Sequence, residues 1–205
     1  MILFVQTFRF AAEPFFFAQY SETGNRKVYA DIMKYFVIMM IIIFLAGTIF
    51  YDVLISFLGP AYHDQRGFLV VSVLLLANLF LGIFFNLSVW YKLTDKTLYA
   101  AYLSVFGAVI TLLLNSILIP KIGFEGSAWA TLVCYFSMVV ASFLLGKKHF
   151  PIPYELHKIS LYLLSMLLIY FFVYKQYFNL TGNTVLFLAF IILLYFTEKQ
   201  KKIKS

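Results

Sequence analysis

The sequence predicts an all-α integral membrane protein, a bundle of about seven transmembrane helices. Three observations lead there. Of the 205 residues, 63% are hydrophobic and 12% are charged, against about 45–50% and about 25% in soluble domains. The apolar residues fall in blocks close to the roughly 20 residues a helix needs to cross a bilayer core of about 30 Å. The basic residues gather in the gaps after alternate blocks.

The blocks run 2–20, 35–58, 68–91, 98–119, 127–146, 159–174 and 184–197. The first is the least ordinary, because it carries Arg9, Glu13 and Pro14. It has no positive leader and no cleavage site of small residues, so it is not a signal peptide; it reads as a helix entered partway along. A polar stretch over 21–34 follows, with Gly24 and Asn25 as its turn. Gly59-Pro60 ends the second block, and residues 91–97 separate the third from the fourth. Pro120, which stops the fourth block, and Gly123 mark the next turn, Pro151-Ile152-Pro153 separates the fifth from the sixth, and residues 179–183 precede the last. Proline lacks the backbone donor and glycine tolerates unusual angles, so such clusters punctuate helices. The bundle therefore occupies 1–197 and a basic tail 198–205.

Charge gives the orientation. If all seven blocks cross, one side collects Arg26, Lys27, Lys34, Lys92, Lys96, Lys147, Lys148, Lys158 and the four lysines of the tail. The other side has Arg66, Lys121 and Lys175. Twelve against three is a strong positive-inside bias, which places the C-terminus in the cytoplasm. The net charge of +7 is accounted for in this way, and no basic platform with stacked aromatics for nucleic acid is present.

Several chemistries find no support. Cys134 is the single cysteine, so no disulfide framework exists. His63, His149 and His157 lie in loops without a second ligand at metal spacing. No glycine-rich phosphate loop is present. Neither a catalytic residue, a cofactor nor a metal is expected.

The polar residues inside the blocks are the candidates for function. Gln6, Arg9 and Glu13 share a face of the first helix, and Arg9 and Glu13 stand four apart, a spacing that allows pairing. Charges at membrane depth are costly and face a protein interior or a water-filled cavity. The strip either lines a substrate path or is a self-neutralised packing pair. Pro14 removes a helical hydrogen bond and predicts a kink. Asn78, Gly82 and Asn86 share one face of the third block, and Ser104, Gly107, Thr111 and Asn115 one face of the fourth. Small and polar faces serve close helix packing; a polar lumen is the alternative. Trp90, Tyr91 and Lys92 read as an interfacial anchor.

Residues 114–131, Leu-Asn-Ser-Ile-Leu-Ile-Pro-Lys-Ile-Gly-Phe-Glu-Gly-Ser-Ala-Trp-Ala-Thr, resemble a turn in polysaccharide-biosynthesis flippases of the multidrug/oligosaccharidyl-lipid/polysaccharide exporter superfamily. The match rests on Asn115, Pro120, Gly123, Gly126, Ala128, Ala130 and Thr131, with Ser127 in place of the commoner alanine. Residues 8–17 (Phe-Arg-Phe-Ala-Ala-Glu-Pro-Phe-Phe-Phe) and 86–97 (Asn-Leu-Ser-Val-Trp-Tyr-Lys-Leu-Thr-Asp-Lys-Thr) are similar to the Bacteroidetes-type branch of that family. The resemblance implies the second half of a two-bundle fold, with the first helix shortened and the N-terminal half missing. It implies a flippase in the bacterial inner membrane that moves undecaprenyl-diphosphate-linked oligosaccharide for surface polysaccharides such as O-antigen. Its partners would be that lipid-linked oligosaccharide and the membrane lipids, with Arg9 holding the diphosphate. A multidrug exporter of the same superfamily and a non-functional truncated fragment are the alternatives.

Overall fold

The structure is a computed structural model that describes residues 1–22, 26–56, 65–177 and 179–204. Every regular element among them is helical: α1 (Ile2–Glu22), α2 (Arg26–Ile49), α3 (Tyr51–Ser56), α4 (Gln65–Leu87), α5 (Val89–Leu93), α6 (Leu98–Ile122), α7 (Phe124–His149), α8 (Leu156–Tyr174) and α9 (Leu180–Lys204). The stops foreseen at Gly24-Asn25 and Gly59-Pro60 lie outside the described residues.

Among the described residues, six stretches are long and apolar enough to cross a membrane: Arg26–Ile49, Arg66–Leu93, Leu98–Ile122, Phe124–His149, Leu156–Tyr174 and Leu180–Lys199. The seventh expected crossing, α1, has the length at 21 residues but is diluted by its charged and amide side chains. The molecule is an all-α integral membrane bundle.

Two of the boundaries differ from the sequence reading for a physical reason. The polar stretch 21–34 is largely helix, because α2 begins at Arg26. Its buried positions Tyr29, Ala30, Met33, Phe36, Val37 and Met40 continue the helical period backward from the apolar block. An amphipathic turn was thus mistaken for a loop, since contiguity of apolar residues is a blunter guide than their periodicity. Pro120 does not stop its helix, which runs on to Ile122. A proline costs the helix the one bond its missing N–H would have made, to the Ser116 carbonyl, and here the chain leaves the helix two residues later. The stop is Gly123, whose φ of 67° is a conformation glycine adopts without steric cost.

α4, α7, α2 and α8 form the packed centre. α4 packs most extensively on α7, α6 lies along α7, α2 lies against α4 and α8, and α9 leans on α2. α1 touches chiefly α4 and α5. Gly126 sits so close to α6 that a Cβ would lie 2.7 Å from the Leu118 carbonyl, which accounts for the small residue there; Ala128 and Ala130 beyond it are buried. Thr131 turns its hydroxyl to the Ser127 carbonyl. Small residues at such contacts let backbones approach where lipid offers no hydrophobic drive to associate.

The helices alternate in direction, and their end contacts identify the two ends. At one end, Arg26 donates to the Pro151 carbonyl (3.2 Å), Tyr99 meets His149 (3.4 Å) and Lys34 meets Glu198. At the other, Arg66 lies 3.7 Å from Glu125 at the α6–α7 turn. The end that carries Arg26, Lys34 and the α7–α8 connection is therefore the basic one, opposite Arg66.

Candidate functional site

Two charged centres occur among the described residues, and the sequence pointed to one of them. The first is a cleft where α1 lies against α4 and α5, lined by Arg9, Glu13, Asn86 and Lys92 with Val5, Phe8, Phe36 and Phe85 around them. Gly82 opens it: a Cβ there would run into the Phe36 ring at 2.4 Å. Phe8 and Phe36 hold α1 in place, with ring centroids 4.5 Å apart.

Arg9 and Glu13 do not form the expected pair along α1. Glu13 forms its ion pair with Lys92 of α5, both side chains being roughly a third exposed. Arg9 instead lies over the rings of Phe85 (4.9 Å) and Phe10 (5.2 Å), a favourable cation–π setting. Among the described residues no carboxylate lies within ion-pair distance of it. The competing lysine comes from another helix, which spacing along α1 alone could not reveal. Arg9 and Lys92 against Glu13 leave the cleft with one positive charge in excess.

Asn86, on the cleft wall, is buried and donates Nδ2 to the Gly82 carbonyl (3.1 Å). Its Oδ1 has no hydrogen-bond partner among the described residues, and a buried acceptor in that state is costly unless something donates to it. The other proposed path residues lie elsewhere. Gln6 does not line the cleft, Asn78 donates to its own helix at Leu74 (2.8 Å), and Asn115 lies on α6 with its Oδ1 buried and without a partner among the described residues. Pro14 lies on the exposed side of an unbroken α1.

The second centre was missed. Lys34, assigned by sequence to a cytoplasmic loop, is 2% exposed. Its Nζ lies 2.7 Å from Glu198, 3.6 Å from Asp31 and 3.9 Å from Glu155. Tyr162 of α8 donates to the other oxygen of Glu198 (2.6 Å), and Lys158 pairs with Glu155 (3.1 Å). The centre ties α2, α8 and α9 together at the basic end. α9 also runs helical past the 197/198 boundary drawn from sequence, to Lys204, so Glu198 belongs to the bundle. The one signal available was the Asp31–Lys34 spacing on an amphipathic turn.

Trp90 is no interfacial anchor. It is 1% exposed, donates to Ser142 (3.2 Å) and stacks on His149 with centroids 5.4 Å apart. Among the described residues no group of three or more histidines, cysteines or acids could hold a metal ion.

Fold and site together define a multi-pass membrane protein with a positively charged cleft beside its first helix. Set against known protein families, curated proteins and solved structures, the chain matches none of them.

Proposed function

We propose that the chain is a helical bundle of a bacterial inner-membrane flippase for diphosphate-linked oligosaccharide, with the cleft as part of the substrate path. The observation that carries this reading is Arg9: a guanidinium inside the helical zone, held by two aromatic faces, with Glu13 already engaged by Lys92. A planar guanidinium with free donors suits a diphosphate, which it can grip with two parallel hydrogen bonds. Asn86 adds an acceptor that a sugar hydroxyl could satisfy. The excess positive charge disfavours cationic drugs, which a multidrug exporter would carry. On this reading the lysine-rich end faces the cytoplasm, and a second bundle meets the side of α1 where Phe10 and Phe15 are exposed.

The test replaces Arg9 in the native gene and follows surface polysaccharide and the lipid-linked intermediate. Losing a charged hydrogen-bond donor worth about 1.5–3 kcal/mol should reduce export about tenfold or more for Arg9→Ala. Arg9→Lys should retain part of it, as a point charge without the fork. Undiminished export by Arg9→Ala would remove the cleft from the mechanism.

A further inference from the structure

We propose that the cleft between the α4–α5 junction, the end of α7 and residues 150–156 binds one anionic phospholipid by its phosphodiester headgroup. This inference stands apart from the transport reading. The cleft holds about 240 Å³ of cavity, below the roughly 300–1,000 Å³ of sites that enclose a whole small molecule, so it takes a headgroup rather than a whole lipid. Leu87, Phe143, Ile152 and Leu156 give it apolar walls, and Lys147 and Tyr154 supply cation and donor.

Both polar groups are available. Lys147, in the last turn of α7, is exposed and within ion-pair distance of no carboxylate among the described residues. The Tyr154 ring packs on Phe143, and its hydroxyl makes no hydrogen bond to a described residue. Burial pushes that phenol above its usual range, so it stays a neutral donor at physiological pH. The neighbouring cation Arg26 is committed elsewhere, to the Pro151 carbonyl and the face of Phe150 (4.4 Å); it braces the segment that walls the cleft.

Position in the bilayer selects a lipid over a soluble anion. The cleft lies at the lysine-rich end of membrane-length helices, at the depth of headgroups, and basic pockets between helices at that level recognise anionic lipid heads. Its apolar walls accommodate the start of acyl chains, which inorganic phosphate lacks.

The test uses the whole chain in nanodiscs of phosphatidylcholine containing phosphatidylglycerol, with native mass spectrometry counting retained lipid. One phosphatidylglycerol should be retained in preference. Tyr154→Phe should weaken retention about fivefold, the worth of one hydrogen bond, and Lys147→Glu should weaken it more. Leu156→Trp, which fills the cleft without changing charge, should also lower it. Lys148→Glu changes the same net charge beside the cleft and should matter less than half as much. Equal losses from Lys147→Glu and Lys148→Glu would overturn the proposal by showing only bulk attraction. Displacement of the lipid by millimolar inorganic phosphate would overturn it in favour of a soluble-anion site.

Discussion

The two charged centres use the same chemistry, a lysine and a glutamate from different helices, in opposite surroundings. In the cleft, Lys92 and Glu13 join α5 to the loosely attached α1, and both remain partly open. At the basic end, Lys34 is sealed and its partner Glu198 is 12% exposed and held from the other side by Tyr162. A pair that retains water can part at little cost. A dry pair cannot, because separation leaves a buried charge uncompensated. The difference makes the cleft pair the cheaper one to open and the Lys34–Glu198 pair the costlier. It follows from burial alone.

The largest expected effect tests the sealed pair. Lys34→Met strands Glu198 and should cost about 3–5 kcal/mol, measured as earlier unfolding in a denaturing-detergent titration. Lys34→Met with Glu198→Leu should recover most of that loss, since an apolar replacement of both partners is often near neutral. If the single variant unfolds like the native chain, the contrast between the centres fails. A middle effect tests the open side. Lys92→Met should lower stability by only about 0.2–1 kcal/mol and, on the proposed transport reading, change export by leaving Glu13 free in the cleft. The smallest effect sharpens the comparison without mutation. Raising salt from 0.1 M to 1 M shortens the screening length from about 10 Å to about 3 Å. A double-mutant cycle on Glu13 and Lys92 should then lose its coupling, whereas one on Lys34 and Glu198 should keep it.

Much of the fold was legible because lipid imposes a simple rule: long apolar runs must be helical to satisfy their backbones. The blocks at 98–119, 127–146 and 159–174 each sit inside a single helix. What escaped were the places where polar residues are buried by partners from afar. Asp31 and Lys34 look like loop charges until Glu198 and Glu155 surround them. Arg9, Glu13 and Asn86 were found as individuals because polar residues at membrane depth stand out. Their company was not, since Lys92 read as a loop cation and Gln6, Asn78 and Asn115 share helix faces with cleft residues or one another without facing the same space. Gly126 was singled out only as part of the 114–131 motif, and its close approach to Leu118 came from the structure; Pro120 was over-read as a stop.

α6 has one further consequence. Only Leu103 and Gly107 are buried along it, and its extensive contact is with the helix that follows. Apart from Tyr99, which packs on Trp90 of α5, the remaining apolar surface of α6 is left to the lipid. The helix is thus tethered to the bundle through α7, and a side chain at the glycine of their closest crossing would loosen that one attachment.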